Sequence, residues 1–335
     1  MQVVAAPDKL RGTAGAVEVA AAIGRAAAAS GWECVEHPMA DGGEGTLDVF
    51  GGPNRATRVT GPLGDPLEAA WRLDGRTAVI EMARASGLDL VGGPEGNDPM
   101  VASTVGTGEL IATALELGAR RILVGLGGSA TTDGGLAAQR ALYPLHRLKA
   151  IELLVLCDVR TPFIDAAEVF APQKGASPAQ VQLLRRRLER LADVYLSDFG
   201  VDVRELEGAG SAGGLAGGLA AVGGSLMGGF DAIAEEVGLA ESIETADLVV
   251  TAEGFLDEQS FEGKVVGGVA EMAASAGVPC LAVVGDVLQG FDPASEAPGE
   301  QLRTISLVQE FGSERALADP LGCVDQIVAE TLKSW

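Results

Sequence analysis

Short apolar runs that close on glycine-rich turns constrain the fold of this chain more than any other feature. The clearest turn is Asp41-Gly42-Gly43-Glu44-Gly45-Thr46, which follows the run around Trp32 to His37. Three glycines let the backbone turn sharply and approach a ligand with no Cβ in the way. Two carboxylates on one such turn repel each other unless a cation lies between them, and Mg²⁺ with a nucleotide suits that place. A solvated surface turn is the plain alternative for one such motif. Three further glycine-rich turns follow at the edges of expected strands or helices: 103–109, 127–135 and 208–214. Glycine supplies 47 of 335 residues, roughly twice its usual share, and it clusters beside apolar runs rather than in low-complexity tracts.

The order of these pieces predicts an α/β protein. Gln2 to Ala6 is a β-branched run, residues 7–13 are a polar loop, and Ala14 to Ala29 carries apolar residues at helical spacing. Strand, loop and helix open a βαβ unit, whose ligands sit at the carboxyl ends of its strands. From Arg55 to Ile80 the pattern becomes alternating, with Gly-Pro, Asp-Pro and Asp-Gly turns. That is hairpin chemistry and marks a second domain. Glu81 then stands at a strand end, or else as an exposed acid at a helix start. Residues 103–109 are expected as a turn before a helix from Leu110 to Leu117, and 127–135 as a turn after a strand at 119–126. Both would present free N–H groups to phosphate, although neither matches the P-loop pattern. A long arginine-rich helix from Pro178, a packed helix after Gly208, a strand over Ala246 to Thr251 and a helix over Val265 to Ala276 complete the alternation.

A net charge of −23 argues against nucleic acid and anionic membrane as partners. An anion site on such a protein must gather its positive charge locally. Only five of the 24 basic residues are lysines, and Lys9, Lys174 and Lys264 lie in or beside Gly- or Pro-containing turns, as point charges aimed at phosphate or as chance surface residues. Cys34, Cys157, Cys280 and Cys323 lack CxxC spacing, so neither zinc nor a disulfide framework is expected. With no leader-like N-terminus and no membrane-length apolar run, a cytoplasmic protein is expected.

Taken together, the motifs resemble the class I family of bacterial glycerate kinases. The matching pieces are Ala6-Pro7-Asp8 with Gly12, residues 39–46, Thr60-Gly61-Pro62-Leu63-Gly64, Val79 to Ala83 with Ser86-Gly87-Leu88, and Gly106 to Leu110. They continue with residues 127–131, Asp133-Gly134-Gly135, Pro172-Gln173-Lys174-Gly175-Ala176, Gly210 with residues 212–214, Glu253-Gly254, Leu256-Asp257, Gln259 and Gly263-Lys264. They keep the family's order over nearly the whole chain. The resemblance implies two α/β domains with the site in the cleft. One is Rossmann-like and built from both chain ends, residues 1–58 and 245–335, and the other spans residues 59–244.

The resemblance also implies chemistry: ATP-dependent phosphorylation of D-glycerate, yielding 2-phosphoglycerate, with Mg²⁺. On the matching positions, Gly42, Gly43, Gly106, Thr107, Gly108, Gly127, Gly128 and Ser129 would cradle phosphates, and Asp41, Glu44 and Asp133 would hold Mg²⁺. Asp8, Asp158 or Glu253 would take the hydroxyl proton, Asp8 first because it ends the first strand, with Lys264 beside the transferring group. Arg11, Lys174, Asp257 and Gln259 would bind substrate. Turn caps are the alternative for Asp158 and Glu253, and a helix N-cap for Asp133. The partners are then glycerate and ATP, with a homodimer left open. The chain departs from the family where Lys9-Leu10-Arg11 replaces Ser-Phe-Lys, where Ala252 and Phe255 replace a glycine and an arginine, where Glu258 replaces a glycine, and in a shortened 134–157 segment. These departures keep open a kinase of another small hydroxy acid and a non-catalytic nucleotide- or metabolite-binding paralogue.

Overall fold

The computed structural model describes every residue except Arg11, Glu262, Ala297, Gly299 and Glu300. The described chain forms two compact units, Met1–Asp41 with Phe230–Trp335, and Gly42–Gly229. Its strands are β1 (Gln2–Ala5), β2 (Glu33–Glu36), β3 (Arg55–Thr60), β4 (Pro66–Asp74), β5 (Thr77–Glu81), β6 (Arg121–Gly125), β7 (Glu152–Cys157), β8 (Ser225–Gly228), β9 (Leu248–Leu256), β10 (Cys280–Val287) and β11 (Leu302–Ser306).

The unit built from both chain ends holds a five-stranded sheet in the order β11-β10-β9-β1-β2. All its pairings are parallel. Parallel strands are covered on both faces, which is why Val3, Val250, Leu281 and Val283 read as continuous apolar runs and are fully or almost fully buried. The helices Ala16–Ala29 and Pro320–Lys333 pack on one another and share this core through Val19, Ile23, Val324 and Val328. The alanines of the first helix keep its buried stripe narrow. Backbone pairing continues past the strand ends: Asp8 N donates to Ala252 O at 2.9 Å and Met39 N to Pro7 O at 2.8 Å. That extension sets Asp8 beside the late part of β9.

The middle unit holds a six-stranded sheet in the order β3-β4-β5-β6-β7-β8. The expected hairpins are present: β3, β4 and β5 are antiparallel, and β5 to β8 are parallel. Trp71 is fully buried at the centre of its core, with Nε1 donating to Thr57 Oγ1 at 2.9 Å. The long helix Pro178–Phe199 opens on a Ser177–Gln180 capping box and stops at Gly200 (φ 73°). Its Leu184, Leu188 and Tyr195 are buried, while Arg185 pairs with Asp165, Glu168 and Glu189 on the outer face. The two α/β units, one drawn from both ends of the chain, are the fold class expected from the sequence.

Two expectations about the limits of single elements are corrected. The helix expected from Leu110 begins at Val105, so Gly106, Thr107 and Gly108 lie within it. The strand expected to stop at Thr251 runs on to Leu256, because Glu253 and Phe255 pair with Val284 and Asp286 of β10. The turn 42–52 and β3 belong with the middle unit, since Gly45 and Leu47 donate their N–H groups to Glu81 and β3 pairs with β4. For that reason the unit boundaries fall after residues 41 and 229 rather than after 58 and 244.

Candidate active site

In the end-built unit, acids gather at the carboxyl ends of β1 and β9. Asp8 is 9% exposed, and Lys9 N–H donates to its Oδ1 at 2.7 Å. Burial, then the neighbouring carboxylates Asp41 and Glu253, raise its pKa to about 7. Glu253 is shifted the same way by burial and by Asp257 and Asp41, against Ser260 and Lys264, which pull it down. Glu253 Oε2 is buried with no hydrogen-bond partner in the described structure. Asp257 and Ser260 close a reciprocal turn, Ser260 N to Asp257 Oδ1 and Asp257 N to Ser260 Oγ, each at 3.2 Å. Lys264 precedes the helix Val265–Ala276 and is the cation that Glu253 feels. Asp8, Asp41, Glu253, Asp257 and Lys264 thus form one electrostatic group, and Gln259 lies exposed next to it in sequence. Arg11 lies outside the described residues.

In the middle unit, a cavity of about 350 Å³ is lined by Gly43, Glu44, Gly87, Gly125, Gly127 and Gly128 together with Glu68, Glu81, Arg84 and Asp89. Glycine is required here by crowding as well as by turning. A Cβ on Gly127 would stand 2.7 Å from Gly43 Cα, and one on Gly42 (φ 87°) 2.8 Å from Leu156 Cβ. Glu81 anchors the first turn: its Oε1 accepts from Gly45 N at 3.1 Å and Leu47 N at 2.9 Å, and its Oε2 accepts from Arg84 Nε at 2.9 Å. Its position at a strand end hinted at a role, but only the fold shows which N–H groups it holds. Asp158 stands exposed at the end of β7.

Three assignments change in this unit. Gly106, Thr107 and Gly108 are buried packing positions: a Cβ on Gly106 would lie 2.2 Å from Thr60 O, and on Gly108 2.5 Å from Ala138 O. They let a helix and its neighbours approach closely, and they lie in the first turn of that helix rather than in a loop before it. Asp133 has both oxygens engaged, Oδ2 by Thr104 N (2.9 Å) and Thr104 Oγ1 (2.8 Å), Oδ1 by Gly135 N (3.1 Å). It is largely shielded from solvent and ties the starts of two helices as a cap. Lys174 is 2% exposed, with Nζ donating to Ser129 Oγ and Thr131 O, each at 2.7 Å. It grips the glycine turn from behind instead of meeting substrate.

The sequence matches the family model described as "Glycerate kinase family" over residues 3–143 and 144–335. The chain belongs to the glycerate kinase family. It is 39% identical over 327 residues to "Glycerate 2-kinase" of Escherichia coli K12, covering 86% of each chain. It is 38% identical over 327 residues to "Glycerate kinase" of Bacillus subtilis 168, covering 86% of this chain and 85% of that one. A crystal structure titled as a putative glycerate kinase 2 from Salmonella typhimurium LT2 superposes with a TM-score of 0.85 at 33% identity, over 100% of this chain and 98% of that one. This family membership bears out the resemblance drawn from the motifs. Among the described residues, no helix is long and apolar enough to cross a membrane.

Proposed function

We propose that the protein transfers the γ-phosphoryl group of ATP to a hydroxyl of D-glycerate, giving 2-phosphoglycerate and ADP. The observation that carries this reading is Asp8, a buried carboxylate at the end of β1 whose pKa near 7 suits a group that must take and release a proton at neutral pH. The substrate hydroxyl gives its proton to Asp8 as its oxygen bonds to phosphorus and the bond to the ADP oxygen breaks. Such a transfer needs positioning and charge neutralisation more than covalent help. Lys264 would face the transferring group, and the crowded glycines at 43 and 127–128 would let phosphate approach the backbone.

The acid group also suits a divalent cation. Among the described residues no three His, Cys, Asp or Glu side chains form a ready-made metal cage. Mg²⁺ in phosphotransfer needs only one or two carboxylates, the rest of its shell coming from phosphate and water. Asp41, whose charge raises both Asp8 and Glu253, would hold it, with Glu44 as the second candidate. When bound, the ion neutralises charge on the phosphates.

The test is ADP release by the purified protein with ATP, MgCl₂ and D-glycerate, with the product identified by mass and NMR. D-glycerate-dependent ADP and a 2-phosphorylated product are expected. Their absence while another hydroxy acid supports turnover would move the assignment to that acid. The exposed Phe255, standing where the family usually places arginine, favours one further reading, a paralogue that binds nucleotide without turnover. Thermal stabilisation by ATP with no acceptor-dependent ADP release would establish it.

A further inference from the structure

The middle unit buries a lysine whose partners all belong to one glycine turn. Lys174 ends a short turn, Pro172–Lys174, stopped by Gly175 at φ 94°, where a Cβ would meet Pro94 O at 2.4 Å. The backbone there is thus fixed closely against residue 94. Asn97 holds both sides together, its Nδ2 donating to Lys174 O at 2.9 Å and to Ala130 O at 3.0 Å. The lysine's Nζ completes the clamp on Ser129 Oγ and Thr131 O. A structural clamp alone would need only the carbonyl contact. The bond to Ser129 does something more.

A serine hydroxyl has one proton to donate and two lone pairs to accept with. Lys174 occupies a lone pair, which turns the hydroxyl proton away from the ammonium group. Among the described residues no carbonyl or side chain accepts that proton. Ser129 is 8% exposed and directly follows Gly127 and Gly128, which line the cavity. An ammonium donating to a hydroxyl polarises the O–H and strengthens it as a donor. Burial lowers Lys174 to about 7, with the nearby Asp133 acting against that shift. Among the described residues on the same wall, Glu44, Glu68, Glu81 and Asp89 outnumber the one cation, Arg84, so an anionic oxygen there gains from a local donor.

We propose that Lys174 is a positioning residue acting through Ser129, a two-bond relay in which the buried ammonium group fixes the serine hydroxyl as a donor to a phosphate oxygen of the nucleotide. This rests on reading the 127–129 turn as a phosphate site.

The test measures binding of Mg–AMP-PNP, a non-hydrolysable ATP analogue, by calorimetry to the full chain and to Ser129→Ala, Ser129→Thr, Lys174→Met and the Ser129→Ala/Lys174→Met double variant. Loss of a charge-assisted donor predicts a Kd raised about ten- to hundredfold in each single alanine or methionine variant. The double variant should match the weaker single one, since both changes break the same relay. Ser129→Thr, which keeps the hydroxyl, should stay within about threefold of wild type. Should Lys174→Met not fold, Ser129→Ala against Ser129→Thr decides alone. Equal affinity of wild type and Ser129→Ala overturns the relay, as does a double variant showing the product of the two single effects, or a wild type that does not bind the analogue. Binding that follows the relay pattern without glycerate-dependent turnover would retain the relay and reject the kinase reading.

Discussion

The two units treat buried charge in opposite ways. In the middle unit Asp133 is matched by Thr104 and Gly135, and Glu81 by Arg84 and two backbone N–H groups. In the end-built unit, Asp41 raises both Asp8 and Glu253, Glu253 also raises Asp8, and one Glu253 oxygen has no hydrogen-bond partner in the described structure. Matched charge is scaffold, and its removal should cost stability. Mutually repelling charge is tolerated only where a ligand relieves it, and its removal should cost function while helping the fold.

Asp8→Asn is expected to give the largest effect. It should lower glycerate-dependent turnover by about 10²- to 10⁴-fold, the usual worth of a positioned proton acceptor. The same change should raise the thermal midpoint at pH 8, because a buried carboxylate forced to ionise there is replaced by a neutral group. A variant that is inactive and less stable would place Asp8 with the scaffold and erase the contrast. Asp133→Ala is the counterpart. It strands the N–H groups of Thr104 and Gly135 and leaves Lys174 without its carboxylate neighbour, a loss of roughly 3–5 kcal/mol in urea unfolding. A loss below about 1 kcal/mol would show that the loop does not depend on this acid.

The contrast also appears as a pH dependence. The folded-state pKa of Asp8 stands near 7 against an ordinary 3.8, so between those values the folded protein holds a proton that the unfolded chain has lost. The contribution of Asp8 is therefore fully present below pH 4 and is lost as pH rises toward 7. Glu253, shifted in the same direction, adds to the slope. Stability measured at low salt should fall across this window in wild type and fall less in Asp8→Asn. Parallel curves for the two proteins would remove Asp8 from the account.

How far the sequence could be read follows from the range of the forces involved. Period-2 and period-3.6 patterns are local, so the opening βαβ unit, the hairpins at 55–81 and the helix Val265–Ala276 were legible. Asp8 was legible as well, because a polar residue directly after a β-branched run marks a strand end. Gly106 and Gly108 misled because glycine serves turns and close packing alike, and nothing local reveals that Thr60 O and Ala138 O press against them. Lys174 was incompletely legible for the same reason: a lysine in Pro-Gln-Lys-Gly-Ala reads as a point charge aimed at phosphate or as a chance surface residue until the fold brings Ser129 and Thr131 to its Nζ from more than forty residues away. The extension of β9 was hidden because Glu253 and Gly254 interrupt its apolar run, while the pairing that keeps it extended comes from β10.

Phe255→Arg is expected to give the smallest effect on stability and sharpens the comparison most directly. Phe255 is 46% exposed and lies two residues beyond Glu253 on the same strand, so the two side chains share a face of β9. Replacing an exposed ring there should change unfolding free energy by no more than about 0.5 kcal/mol. An arginine at this position would bring a cation to carboxylates that now mainly repel one another, favouring their ionised forms. The acid limb of the pH–rate profile should then move to lower pH, and the KM for D-glycerate should fall if a carboxylate binds nearby. An unchanged acid limb together with unchanged KM would mean that residue 255 faces away from the acid group, leaving Lys264 as the cation on which that group relies.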